Sequence, residues 1–166
     1  MNATLRMQGI RMSFSGVEVL HGVDFAVDKG EIMGLCGENG AGKSTLMKLV
    51  AGIYPADAGE IVFKGTPVRH GATPLETQHL GISMIHQELN LLPELTVAQN
   101  IFLRREPRAA TGLIDFAKMH TDAAAILGRL GETIDPKRKV RELKVAQQQM
   151  VEIAKAISFN VELLIM

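Results

Sequence analysis

Nine consecutive residues, Gly37-Glu38-Asn39-Gly40-Ala41-Gly42-Lys43-Ser44-Thr45, constrain this chain more than any other stretch. They fit G-x-x-x-x-G-K-[ST], a pattern whose glycines let successive backbone N–H groups converge on phosphate oxygens. The flanks fit too. Ile32-Met33-Gly34-Leu35-Cys36 reads as a short buried parallel strand, and Leu46, Leu49, Val50 and Ile53 recur at helical spacing with Gly52 placed to stop the helix. Strand, glycine-rich turn and helix place the loop at a helix N-terminus, where amides and dipole favour an anion. In that frame a side chain at Gly40 or Gly42 would obstruct a phosphate, Lys43 lies along the β- and γ-phosphates, and the Ser44 hydroxyl ligates Mg²⁺.

The 166 residues suffice for one domain with a sizeable core. With aromatic residues at 4% and no Trp, that core must be aliphatic and methionine-rich. Lys+Arg and Asp+Glu both number 18, which removes the overall charge signature of a nucleic-acid binder. The local basic run Lys137-Arg138-Lys139, with Arg141 and Lys144, reads as a solvated face. Cys36 is the only cysteine, which excludes a disulfide framework and predicts a small buried core residue. No uncharged apolar run reaches the roughly 18 residues that span a bilayer, and Met1 to Arg6 does not open a signal peptide, so a cytosolic protein is expected.

Along the chain, Leu5, Met7 and Ile10 suggest a first strand, and Phe14-Ser15-Gly16 a turn. Val17, Val19 and Leu20 suggest a second, short strand; Val23, Phe25 and Val27 alternate as a third. Gly59 to Gly65 reads as a strand, Pro74 to Leu80 as a helix, and Ile82 to Ile85 as another strand with His86-Gln87 at its end. After Pro93, Thr96 can cap a short helix running to Leu103, and Asp115 a longer one with the stripe Met119, Ala123, Ile126, Leu127 and Leu130. Leu143-Lys144-Val145-Ala146-Gln147 opens a last helix, with Met150, Ile153, Ala154 and Ile157 on one face, and Val161 to Met166 starts a buried strand.

In this order the phosphate loop, the Gln87 loop, the helical block and the Leu143–Gln149 segment resemble the ATP-binding subunits of ABC transporters. His86-Gln87-Glu88-Leu89 and Gln149-Met150-Val151-Glu152-Ile153-Ala154-Lys155-Ala156 are closest to the first nucleotide-binding half of bacterial monosaccharide importers of the ribose, xylose and galactose type. The resemblance covers essentially the whole chain. It implies an α/β fold: a P-loop NTPase (RecA-like) core with an antiparallel β subdomain and a helical insertion, stopping at the strand before the Walker B carboxylates. Residues 1–90 would hold the β subdomain and first part of the core, 91–142 the helical subdomain, and 143–166 the signature helix and start of the Walker B strand.

The resemblance also implies site roles. Phe14 would lie against adenine, and Gln87 would contact Mg²⁺ or the attacking water. Gly37, Glu38, Asn39, Gly40, Ala41, Gly42, Lys43, Ser44 and Thr45 would hold ATP, with Ser44 and Gln87 as Mg²⁺ ligands. Leu143, Lys144, Val145, Ala146 and Gln147 would face ATP bound by a second nucleotide-binding domain. Transmembrane permease subunits of a sugar importer, and through them a periplasmic sugar-binding protein, would be partners; nucleic acid would not. The subunit would sit in the cytoplasm, peripheral on the inner face of the membrane.

Two departures bear on activity. Lys144 stands where the family signature usually carries serine, and the Asp-Glu pair expected after the 161–166 strand is not among these residues. The chain by itself is therefore expected to bind ATP without sustained hydrolysis. The alternative is a binding module, with no catalysis, derived from such a subunit. A GTPase or small kinase fits poorly, because no Asn-Lys-x-Asp guanine motif is present.

Overall fold

The computed structural model describes residues 3–85 and 90–166. They form two compact units, 1–82 and 83–166.

The first unit is built on a long hairpin. β1 (Ala3–Phe14) pairs antiparallel with β2 (Val17–Asp28). Ser15 and Gly16 between them both have positive φ, 50° and 83°, the two-residue turn whose twist matches that of paired strands. The second and third strands expected from sequence are thus one. Ile10 pairs with Val23 and Arg11 with His21, leaving Gly22 unpaired as a bulge at φ 80°. The bulge breaks the alternation without breaking the strand.

β3 (Ala58–Phe63) adds to the free edge of β1, and β4 (Thr66–Pro67) follows, giving the order β2-β1-β3-β4. Gly59 sits where β3 crosses β1: a Cβ there would lie 2.6 Å from the Gln8 carbonyl oxygen, at φ +97°. Leu5, Met7, Ile10, Met12, Leu20 and Phe63 are buried. α1 (Lys43–Val50) buries Leu46, Leu49 and Val50, and Gly52 at φ 73° ends it with its N–H on Leu49 O and that of Ile53 on Lys48 O.

α2 (Pro74–Leu80) starts at a capping box. The Thr73 hydroxyl accepts from Glu76 N, and the Glu76 carboxylate accepts from Thr73 N at 2.7 Å. That backbone N–H, with the Arg69 guanidinium and the Thr73 hydroxyl, holds the Glu76 carboxyl down to about 2 from an ordinary 4.5. A depressed carboxyl pKa stabilises the fold above its unfolded value and loses that contribution as pH falls through the folded one. The urea midpoint should therefore fall between pH 4.5 and 2 in part through this group. Glu76→Gln should flatten that portion of the pH profile; an unaltered slope would show that the box contributes nothing.

The expected strand at 32–36 is not formed. Residues 31–38 carry no regular structure, Ile32 is 99% exposed, and Cys36 is exposed, not buried. An apolar run becomes an inner strand only when neighbouring strands bond both its edges. Among the described residues no strand pairs with it.

The second unit holds a helical core. α3 (Val97–Ile101), α4 (Phe116–Arg129) and α5 (Val145–Ile157) converge on Val97, Ile101, Met119, Leu127, Val140 and Val151, all buried. Thr96 and Asp115 cap α3 and α4 as their sequence positions suggest. α3 is shorter than expected, giving way at Phe102. On α5 the deeply buried face is Val151, Glu152 and Ala154, while Met150, Ile153 and Ile157 are half-buried. Of the expected face, Ala154 is fully buried and Met150 packs against the core, while burial extends beyond it to Val151, Glu152 and Ala156. β5 (Ile82–Met84), which contains the boundary between the units, pairs with β6 (Leu163–Ile165).

Candidate nucleotide site

The phosphate loop turns at residues 38–41, with Ala41 N donating to Glu38 O, and Gly40 and Gly42 hold φ of 86° and 83°. Only glycine takes such angles without strain. The two glycines answer to different demands. A Cβ at Gly40 would meet open space, whereas one at Gly42 would lie 2.7 Å from Leu20 Cδ2 and 3.2 Å from Val19 O. Gly42 thus lets the N-terminus of α1 abut β2, a packing need on top of any phosphate clearance. Gly42→Ala should lower the unfolding free energy by about 1–3 kcal/mol in a urea titration. An unshifted midpoint would mean that β2 yields freely.

Lys43 is the first helical residue, and its ammonium is anchored across the loop. Nζ donates to Gly37 O and Glu38 O, each at 2.7 Å. An ammonium has three hydrogens, so one remains for an anion after these two bonds. No side chain caps this end of α1. The amides of Lys43, Ser44 and Thr45 have no intrahelical acceptor, as in any first turn. Ser44 is exposed and Thr45 half-buried. Converging amides, one available ammonium hydrogen and a hydroxyl one residue on suit a nucleotide polyphosphate.

Mg²⁺ fits the same donors. It prefers hard oxygen and usually takes one or two protein ligands, with phosphate and water supplying the others. Ser44 Oγ is the protein oxygen at hand, and the described residues contain no cluster of His, Cys, Asp or Glu that could hold a metal instead. Gln87, the other expected ligand, lies outside the described residues.

Phe14 stands at the tip of the β1–β2 hairpin, 39% exposed, its ring edge-on to Tyr54 at 5.3 Å between centroids. Lys48 Nζ lies 5.6 Å from the Tyr54 ring. Phe14 is thus partly accessible on the unit that carries the phosphate loop.

In the second unit, Leu143 is buried while Lys144, Val145 and Ala146 are exposed at the start of α5. Gln147 Oε1 accepts from Lys144 N at 3.2 Å. The neighbouring basic run is largely engaged: Lys139 and Arg141 both reach Glu94, and Arg138 reaches Glu142. The Lys139 hydrogen bond, with the charge of Arg141, holds the Glu94 carboxyl below its usual range. Arg138, Lys139 and Arg141 are thus paired at a solvated surface.

Sequence reasoning did not single out Asn100, Glu152 or Arg105. Asn100 is fully buried, and its side chain bonds Leu92 N and the carbonyls of Leu92, Leu95 and Thr96. Its signal was an amide on the apolar face of Val97-Ala98-x-Asn100-Ile101. Glu152 gives the same kind of signal, a charge beside Val151 and Ala154.

Known proteins agree with this geometry. Residues 20–166 match the ABC transporter family. The chain is 54% identical over 163 residues to the ribose import ATP-binding protein RbsA 1 of Streptomyces avermitilis, covering 98% of this chain and 31% of that protein. It is 52% identical over 163 residues to the ribose import ATP-binding protein RbsA 2 of Streptomyces coelicolor, again covering 98% and 31%. It therefore spans about a third of the length of the curated relatives it matches. Among solved structures, the ADP conformation of an ATP-binding cassette of an ABC transporter superposes with TM-score 0.84 at 28% identity, covering 99% of this chain and 68% of that one. The P-loop α/β fold expected from the residues is the fold of these cassettes, and the chain belongs to the ABC transporter family.

Proposed function

We propose that this chain is ATP-binding machinery of an ABC-type importer of monosaccharides, coupling ATP binding and hydrolysis to sugar uptake. The observation that carries the proposal is the Lys43 ammonium, tied to Gly37 and Glu38 at an uncapped helix start. Identity of 52–54% to ribose import ATP-binding proteins supports the sugar class.

In this reading the loop amides and Lys43 would hold the β- and γ-phosphates, Ser44 would supply an oxygen to Mg²⁺, and Phe14 would lie against the base. Leu143 to Gln147 would present the start of α5 to nucleotide held by a second nucleotide-binding domain, and Gln87 would contact Mg²⁺ or the attacking water. Bound Mg²⁺ supplies charge neutralisation of the phosphates. Closure of two such half-sites excludes water and drives a transmembrane permease, which receives sugar from a periplasmic binding protein. The subunit sits against the cytoplasmic face of the membrane through that permease. No helix among the described residues is long and apolar enough to cross the bilayer itself.

By themselves the 166 residues bind Mg-ATP without sustained turnover. Lys144 favours this second, binding-only aspect, since an ammonium is no isosteric substitute for a serine hydroxyl at the start of α5. Calorimetric titration with ATP, with and without Mg²⁺, tests the reading. Binding should strengthen with Mg²⁺, and Ser44→Ala should remove most of that gain. Equal affinity for ATP and for an unphosphorylated nucleoside would overturn the phosphate-loop assignment, and steady phosphate release would overturn the binding-only aspect.

A further inference from the structure

Side chains tie α5 and its C-terminal cap to the chain at two places, one before α3 and one after it. At the first, Glu152 Oε1 accepts from Asn90 N at 2.8 Å, and Lys155 Nζ donates to Asn90 O at 3.2 Å. Both backbone polar groups of one residue are thus claimed by side chains one turn apart on α5. At the second, Arg105 Nη2 donates to Ser158 Oγ at 2.7 Å and to Ile101 O at 2.9 Å. The same guanidinium lies 3.4 Å from the centroid of Phe159. Asn100 closes the interval by bonding Leu92 through both N and O.

The first grip is not needed to satisfy Asn90. That residue is exposed, so water could serve its N–H and its carbonyl, whereas Glu152 is only 8% exposed and gives up hydration to be there. What water cannot supply is register. A carboxylate fixed on a helix and bonded to a backbone N–H fixes where that backbone lies relative to the helix. We infer that Glu152 is a positioning residue: it makes segment 90–92 follow any displacement of α5, whose N-terminus carries Leu143 to Gln147. Asn90 lies three residues after Gln87 in sequence. The clasp therefore ties the stretch that would sense one nucleotide to the stretch leading from the loop that would serve another. This inference rests on the functional reading above only for what the two ends do; the mechanical tie stands on the contacts alone.

Two arms test it. In the first, hydrogen exchange is followed in the chain without nucleotide. In the unaltered protein the Asn90 amide should exchange in the same opening as the amides of Val151 to Ala154. Glu152→Ala should speed exchange at Asn90 by at least about tenfold. Glu152→Gln, which keeps an acceptor oxygen, should restore the protection. Unaltered exchange at Asn90 in Glu152→Ala overturns the tie. In the second arm, the full-length protein assembled with its permease is assayed for ATP turnover. Glu152→Ala should lower kcat about tenfold with KM for ATP within about twofold, and Glu152→Gln should recover most of it. Unchanged kcat, or a rise in KM with no fall in kcat, overturns the positioning role. Absence of ATP turnover in the unaltered assembly would sink the functional reading instead, and the exchange arm still decides the tie.

Discussion

Lys43→Ala is expected to weaken Mg-ATP binding by at least about a hundredfold, which is roughly 2.7 kcal/mol. The ammonium is not a free arm: two bonds of 2.7 Å to Gly37 O and Glu38 O pre-set it over the loop, so little rotamer entropy is lost when a phosphate arrives. A cation about 4 Å from a phosphate charge near a protein surface interacts by about 4 kcal/mol. Losing most of that interaction exceeds the hundredfold threshold. Alanine is the best helix former, and the carbonyls of the exposed residues Gly37 and Glu38 remain open to water, so α1 should survive the change. Lys43→Arg should not rescue binding, because a planar guanidinium cannot reproduce the two-carbonyl grip. Titration with a fluorescent ATP analogue, alongside thermal unfolding as the control for folding, decides the matter. Retained affinity would mean that the amides alone hold the phosphates.

Asn100→Ala should cost the second unit about 2–4 kcal/mol. Asn100 is fully buried, and its amide serves one N–H and three carbonyls, from Leu92, Leu95 and Thr96. These bonds shape the turn that delivers the chain into α3, where Val97, Ala98 and Ile101 are buried. Deleting the amide leaves the Leu92 N–H without its acceptor, at about 1–3 kcal/mol if water fails to reach it, and reduces the three carbonyls to one backbone donor each, from Leu95, Val140 and Asn100 itself. Asn100→Asp should be no milder, since a buried carboxylate sets a negative charge beside three carbonyl oxygens and has no donor to offer them. Asn100→Leu should fail too, because filling the volume does nothing for the backbone. Urea unfolding monitored by helical circular dichroism measures the loss. A stability change below about 1 kcal/mol would show that water replaces the amide.

Much of the local structure was legible in the residues. The capping signals at Thr96 and Asp115 set helix starts that the structure keeps. The stripe from Met119 to Leu127 identified the inward face of α4 because a single helix turned against a core has one period to obey. Legibility failed where one residue carries two meanings. Gly22 reads as a break between strands and is a bulge within one. Ile32 to Cys36 read as an inner strand, and their apolar character was genuine, but strandedness belongs to a pair of chains and no partner is recorded in the run itself.

The phosphate loop shows the same division. Its ligand class is a local property: a glycine pattern, a lysine and a hydroxyl at one helix start need nothing distant to define a phosphate cradle. Sequence alone therefore determined the family and the helix that follows the glycine loop. Tertiary structure decided that Gly42 is required by Leu20 as well as by any phosphate, that Arg138, Lys139 and Arg141 of the basic run pair with Glu142 and Glu94, and that Glu152 and Asn100 face inward to hold backbone. The reason is distance along the chain. Asn90 and Glu152 are separated by 62 residues, and no periodicity or composition encodes which backbone amide a lone carboxylate on an apolar face will meet.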